Sequence, residues 1–172
     1  ICKGFHPDSF VVLGGFTATY YDLEVMRGYP FVDAIARGES EHILLNLVRA
    51  ICSNGKIEEI DGITYRIRDS IKRNDVSPPP NLDTFQFAKL ELMEKWNEQL
   101  RCCTKAYDKG IKPSFWLTLA RGCSNECIYC GGARSCYQLL TGRDRPVLRK
   151  TNDIADDIAR LAEKGVKTVK FN

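Results

Sequence analysis

Three consecutive prolines, Pro78-Pro79-Pro80, set the first limit on what this 172-residue chain can fold into. Proline lacks the amide that a helix interior or a central strand needs, and its ring fixes φ. No regular element passes through SPPPNLD (77–83), so the chain divides there. The expected organisation is a partial α/β domain with a hairpin over 1–76, a proline linker and connecting helix over 77–112, and a second α/β unit over 113–172.

The first part alternates short apolar runs with helical stretches. FVVL (10–13) is closed by Gly14-Gly15, a helical stretch covers 21–28, and FVDAIA (31–36) is closed by Arg37-Gly38. Short apolar runs without alternation suit parallel strands buried on both faces. Ser40 then opens a helix to about Ile51, with Ile43, Leu44, Leu47, Val48 and Ile51 on one stripe. This rhythm is that of a doubly wound α/β domain. Residues 60–73 read as a hairpin, from the alternation Ile63, Tyr65, Ile67 and a turn near Asp69-Ser70. Beyond the prolines, 84–109 reads as a helix and 114–120 as a strand. A helix over 151–164, capped by Thr151 or Asn152 and stopped by Gly165, leads to a strand at 166–171. That is β–loop–α–β, the opening of a parallel barrel or sheet.

Charge is unevenly spread. Residues 1–110 hold 14 Lys/Arg against 16 Asp/Glu, and residues 111–172 hold 11 against 6. The basic stretch RDRPVLRK (143–150) has no aromatic to stack a base, so nucleic acid is not the expected partner. No apolar run reaches the roughly 18 residues that span a bilayer, and no signal segment is visible. The first residue is Ile1 and the last residues form a strand that stops as it begins, so a piece of a longer protein is expected. Eight cysteines, three of them clustered, fit a reducing cytoplasm better than a disulfide framework.

The cluster is Cys123, Cys127 and Cys130 in RGCSNECIYCGG, a Cys-x3-Cys-x2-Cys loop after a strand. Three thiolates do not close a four-coordinate zinc site. They can hold three irons of a [4Fe–4S] cluster and leave the fourth open to a ligand. Gly131 and Gly132 after the last cysteine let backbone come close to a bulky group. The competing reading is a zinc knuckle completed by Cys136 or a histidine, although His6 and His42 are remote in sequence. Cys2, Cys52, Cys102, Cys103 and Cys136 read as small, mostly buried thiols. No residue is singled out as catalytic.

CSNECIYC, with Tyr129 before the last cysteine, resembles the cluster motif of the radical S-adenosylmethionine (radical SAM) superfamily. The resemblance implies that Cys123, Cys127 and Cys130 hold the cluster and that Tyr129 lies near the adenine of SAM. It implies that SAM chelates the open iron and that an electron from a donor such as flavodoxin or ferredoxin breaks its S–C5′ bond. The resulting 5′-deoxyadenosyl radical takes hydrogen from a substrate, a small molecule or another kind that this sequence does not name. VVLGGFTATYYD and FVDAIARGESEHILLNL resemble the C-terminal part of the Rossmann-like cobalamin-binding domain found in some members. That likeness places Gly14, Gly15 and Gly38 beside the cobalamin tail, with Arg37-Gly38-Glu39 closing the later strand. GGARSCYQLLTGRDRPVLRK (131–150) resembles a subgroup in which Arg134, Arg143 and Arg145 are candidates to meet a carboxylate or phosphate.

The expected fold is therefore the end of a Rossmann-like cobalamin-binding-type α/β domain followed by the first β/α units of a radical SAM partial barrel. The implied cofactors are the cluster, SAM and, where the first domain keeps its ligand, cobalamin. The implied enzyme catalyses radical chemistry, with cobalamin-dependent methyl transfer as one form, and the piece alone is expected to be inactive. Two alternatives stand: a radical SAM oxidoreductase or rearrangement enzyme with an empty first domain, and a non-catalytic iron–sulfur or zinc module.

Overall fold

The computed structural model describes residues 2–98, 100 and 113–171. Cys102, Cys103 and the 101–109 portion of the expected helix lie outside the described residues. The chain forms two compact units. Unit 1 comprises Ile1–Pro80 with Cys123–Arg145, and unit 2 comprises Asn81–Gly122 with Pro146–Asn172. These groupings follow compactness and differ from the division at 76 and 112 drawn from the prolines.

Unit 1 is built on a sheet of order β1-β2-β3-β4: β1 Val12–Leu13, β2 Ala34–Ala36, β3 Ile63–Ile67 and β4 Ser70–Arg73. A short helix α1 (Cys2–Phe5) precedes it. Helices α2 (Phe16–Tyr20) and α3 (Asp22–Gly28) link β1 to β2, and α4 (Glu41–Cys52) follows β2. Strand β2 shows why an apolar run without alternation reads as a central strand. Ala34 and Ala36 face a core with Ile43 and Leu47 of α4, while Ile35 faces the other way, against Ala18 and Met26 of α2 and α3. Successive side chains leave a strand on opposite faces, so both faces must be apolar when helices cover both. Ile43 and Leu47 are 2% and 0% exposed. Burial at that level stabilises by about 1.5–3 kcal/mol per side chain.

The sheet is mixed: the two apolar runs pair parallel as expected, and the hairpin joins them antiparallel. β1 and β2 pair parallel, Val12 opposite Ala34, but β2 and β3 pair antiparallel, Ala36 opposite Ile63. The chain between α4 and β3 turns through a 3-10 segment, Ile57–Glu59, and enters β3 from the opposite end. The hairpin β3–β4 then forms as expected, with Ile67 opposite Ser70. Ser40 is the N-cap residue of α4, but its hydroxyl makes no capping bond. Of the expected apolar stripe only Ile43 and Leu47 are buried; Leu44, Val48 and Ile51 are 48%, 48% and 38% exposed. Cys52, at the end of α4, is exposed rather than buried.

Unit 2 contains a parallel pair, β5 (Ser114–Leu117) with β8 (Thr168–Phe171), and an antiparallel pair, β6 (Ala120–Arg121) with β7 (Val147–Leu148). The expected strand 114–120 is thus broken at Thr118-Leu119. Helix α6 (Thr151–Glu163) is the crossover between the two pairs; its N-cap is Lys150, one residue ahead of the expected Thr151 or Asn152. Gly165 follows it at φ 84°, as expected of a stop. Leu161 of α6 joins Ala88, Leu90, Leu100 and Val166 in the core, with Phe115 and Val169 packed against it.

The expected helix from 84 does not form over its first part. Short 3-10 turns occupy Leu82–Thr84 and Leu90–Leu92. Asn81 accepts the Asp83 amide through its side chain, a local bond that competes with helical bonding. Phe85 and Phe87 then pack edge to face, their centroids 6.0 Å apart. Arg149 lies over the Phe87 ring at 4.5 Å. A second departure is helix α5, Arg134–Thr141, in a span between the cysteines and 151 where no helix is expected. It belongs to unit 1 and ends at Gly142 in the left-handed conformation (φ 81°).

Candidate functional site

The cysteine loop begins where β6 ends. Gly122 (φ 99°) turns the chain into Cys123. Within the loop, Cys130 N–H donates to Cys127 O (3.1 Å) and Ala133 N–H to Cys130 O (3.0 Å). Cys123 and Cys127 are partly buried, Cys130 is exposed, and all three are free thiols. Two backbone amides point at sulfur: Asn125 N–H at Cys123 Sγ and Gly132 N–H at Cys130 Sγ, both 3.4 Å. Donors so placed stabilise a thiolate and adjust the potential of a metal group it holds.

Among the described residues, no three or more His, Cys, Asp or Glu side chains are gathered round a common point where a metal could sit. The three sulfurs share a loop but do not converge in the chain alone, and the zinc alternative has no gathered ligand set either. The donor set itself fits an iron–sulfur group: three soft, unbridged thiols within eight residues, two of them already receiving amide hydrogen bonds. Tyr129 is 89% exposed and Ile128 fully so, which excludes core packing as the reason for the aromatic residue.

Helix α5 ties this loop into unit 1. Arg134 N–H donates to Asn125 O (2.9 Å). Arg134 Nε–H donates to Glu126 Oε1 at 2.6 Å, and Ser135 donates to Glu126 Oε2 through its amide (3.2 Å) and hydroxyl (2.7 Å). Those hydrogen bonds, first Arg134 and then Ser135, hold the Glu126 carboxyl below its ordinary pKa. At the middle of the helix, the Tyr137 ring meets Phe16 of α2 edge-on at 5.2 Å.

Past the helix, Arg143 grips Glu39 through Nε and Nη2, the latter at 2.9 Å from Oε2, and Nη2 also donates to Pro80 O at 2.5 Å. Both side chains are buried, 7% and 4% exposed. Arg143 therefore is the arginine of the three candidates that meets a buried carboxylate; Arg134 meets Glu126 at the surface, and Arg145 is exposed. Sequence reading named Arg143 and Glu39 separately and missed their pairing. It missed Glu126 as well, and the available signal was an acidic residue inside the cysteine spacing followed by a basic helix start.

The glycines are placed as follows. Gly15 (φ 87°) is the N-cap of α2, and a Cβ on Gly14 would make ordinary contact with Ala36 O at 3.5 Å. Gly38 (φ 75°) receives the more specific demand: a Cβ there would stand 3.2 Å from Leu140 O of α5. Its amide donates to Thr19 Oγ1 at 3.0 Å. Glycine at 38 is thus required by the turn and by the neighbouring helix of the protein itself. Gly38 also borders a cavity of about 190 Å³ of mixed lining, with Arg37 and Arg73 on it beside Val76 and Leu139. Arg37 is buried beside Arg73, and burial followed by the Arg73 charge lowers its pKa from the usual value. A second, apolar cavity of about 200 Å³ brings Gly131 and Cys136 beside Phe16, Thr17 and Tyr20, so the segment after the cysteines and the segment after Gly14-Gly15 share one wall. A Cβ on Gly132 would lie 3.7 Å from Cys130 Sγ, ordinary contact.

No family model matches the chain. It is 30% identical over 134 residues to an anaerobic magnesium-protoporphyrin IX monomethyl ester cyclase of Rubrivivax gelatinosus, covering 76% of this chain and 23% of that protein. It is 24% identical over 166 residues to a tRNA-2-methylthio-N(6)-dimethylallyladenosine synthase of Acinetobacter baylyi, covering 96% and 28%. The chain spans about a quarter of the length of these relatives. In fold it is similar to the radical S-adenosylmethionine methyltransferase TsrM of Kitasatospora setae, solved with cobalamin and a [4Fe–4S] cluster bound. The TM-score is 0.64 at 15% identity, over 96% of this chain and 30% of that one. The expectation against nucleic acid finds no support in a set of relatives that includes a tRNA-modifying synthase. Among the described residues no helix is long and apolar enough to cross a membrane.

Proposed function

The chain belongs to the radical SAM superfamily and carries cobalamin-binding-like features; on that premise we propose that it is part of an enzyme whose [4Fe–4S] cluster is held by Cys123, Cys127 and Cys130. The observation that carries the reading is the loop itself: three free thiols at this spacing, with amide donors already on two of the sulfurs. When bound, the cluster and SAM would supply one-electron reductive cleavage of a sulfonium and, through it, hydrogen-atom abstraction from substrate.

The chain's own residues bind and orient. The Asn125 and Gly132 amides hold negative charge on sulfur. Tyr129 offers its ring to the adenine of SAM, a role its exposure beside Cys130 supports. Gly131 and Gly132 keep the loop's exit free of side chains, and a Cβ on Gly131 would meet nothing within 4 Å.

For the remainder, residues 1–76 are the end of a cobalamin-binding-type domain, 77–112 the proline linker and the connecting segment after it, and 113–172 the start of the barrel. Gly14, Gly15 and Gly38 border the cobalamin tail. The methyltransferase TsrM, bound to cobalamin and a cluster, supports this reading and with it methyl transfer as the reaction. The substrate is a small molecule or a tRNA, the two kinds named among the relatives. A small electron-transfer protein such as a flavodoxin or ferredoxin delivers the electron, and the setting is the cytoplasm.

The test is electron paramagnetic resonance of the anaerobically reconstituted, dithionite-reduced protein with and without SAM. A [4Fe–4S]⁺ signal that shifts when SAM is added is expected. Stoichiometric zinc with no cluster signal would overturn the reading in favour of a structural metal module.

A further inference from the structure

An α-helix leaves its first amides without partners inside the helix. At α5 the N-cap is Ala133, which has no side chain to supply an acceptor. The acceptors come from the cysteine loop instead. Cys130 O takes the Ala133 amide, Asn125 O the Arg134 amide and Glu126 Oε2 the Ser135 amide. Glu126 also takes the Ser135 hydroxyl and Arg134 Nε–H, so both of its carboxylate oxygens are engaged by two consecutive residues of one helix turn.

Glu126 immediately precedes Cys127, the middle residue of the triplet. The helix it grips is itself fixed: Tyr137 against Phe16, Leu140 O over Gly38, and Arg143 on the buried Glu39. The loop backbone is therefore referenced to α5, and α5 to the sheet of unit 1. We propose that Glu126 is a positioning residue, clamped by Arg134 and Ser135, that holds the Cys-x3-Cys-x2-Cys backbone in the form that accepts an iron–sulfur cluster.

As an ion pair alone this contact would count for little, because Arg134 and Glu126 are 54% and 44% exposed. Its significance is geometric. Bonds to the Ser135 amide fix the carboxylate against backbone rather than against a second flexible side chain. There is also a charge argument. Three thiolates around a cluster are anionic, and a bare carboxylate one residue away would oppose them. Arg134 neutralises that carboxylate while it holds it in place.

This proposal rests on the cluster reading above, and its test separates the two. The unsubstituted protein and the variants Glu126→Ala, Glu126→Gln, Arg134→Ala and Glu126→Ala/Arg134→Ala are reconstituted anaerobically. Iron and sulfide per chain are measured, then the rate of iron release to a ferrous chelator, with melting followed by circular dichroism. Glu126→Ala should release iron on the order of ten-fold faster, the scale seen when groups supporting a metal's ligands are removed. Glu126→Gln, which keeps an acceptor for Ser135, should lie between. The double variant should be no faster than Glu126→Ala, as expected for two residues acting through one contact. Should Glu126→Ala lower the melting point, Glu126→Gln and Arg134→Ala decide, and unchanged release in both overturns the proposal. Release from Glu126→Ala at the unsubstituted rate overturns the role of Glu126 and leaves the cluster reading intact. An unsubstituted protein that takes up no iron overturns both.

Discussion

Replacing Asp157 by asparagine should destabilise unit 2 by about 3 kcal/mol or more, and the structure shows why. Arg149 Nη2 donates to Asp157 Oδ2 at 2.6 Å, and the two side chains are 1% and 2% exposed. Arg149 also donates to Thr118 O at 3.0 Å and stacks on Phe87. Those two contacts survive the substitution, so they do not offset the loss. What is lost is the only carboxylate paired with Arg149 among the described residues, leaving a guanidinium that cannot reach water. Removing one partner of a buried pair typically costs about 3–5 kcal/mol. Asparagine keeps an oxygen acceptor at the same place, which puts the expectation at the lower end. Arg160, 45% exposed and 3.5 Å from Asp157, adds less than about 1 kcal/mol. The assay is urea and thermal unfolding followed by circular dichroism, with Asp157→Leu/Arg149→Met as the control. That double variant removes both charges and should recover most of the loss. An Asp157→Asn protein within about 0.5 kcal/mol of the unsubstituted one would refute the argument, because it would mean that Arg149 is solvated or otherwise neutralised.

In unit 1 the same reasoning applies to Glu39 and Arg143. Arg143→Met leaves Glu39 buried without its arginine and should cost about 3 kcal/mol or more, measured by urea unfolding; Glu39→Gln should cost less, since it retains an acceptor. Gly38→Ala should cost about 1–2 kcal/mol from the left-handed backbone alone, and more once the added carbon presses on Leu140 O, 3.2 Å away. A Gly38→Ala protein with an unchanged urea midpoint would mean that α5 yields freely at this point.

The sequence made some of this visible because the controlling forces were local. Ala34-Ile35-Ala36 had to be a central strand once neither face could be polar, and Gly165 had to end a helix. The cysteine loop was legible from spacing and residue type alone. The direction of β3 was not, because the connection 53–62 carries no sign of which end of the sheet it returns to. The helix expected from 84 failed through competition. Asn81 offered a nearby backbone amide a bond outside the helix, Phe85 and Phe87 meet edge to face, and Arg149, remote in sequence, lies over Phe87. Glu39 and Arg143 stand 104 positions apart, and no local pattern announces a partner at that range.

The same pairings decide how the basic character of the second part should be understood. By count, residues 111–172 carry an excess of lysine and arginine, and RDRPVLRK concentrates it. A surface that binds a phosphate backbone needs those charges free and facing one way. Arg143 is buried on Glu39, and Arg149 is buried on Asp157. Lys150 pairs with Asp83 at 3.6 Å. Arg134, earlier in the chain, is taken by Glu126. Arg145 and Lys150 are exposed, Lys150 to 71%. Arg143 and Arg149 are therefore spent on holding the fold, and Arg145 and Lys150 are the basic side chains this stretch displays. If this protein shares a tRNA substrate with some of its relatives, Arg143 and Arg149 are not available to meet it. Whatever RNA affinity and salt dependence this stretch contributes should accordingly be lost on neutralising Arg145 and Lys150 together, and a double variant with unchanged salt dependence would show that the stretch makes no such contact.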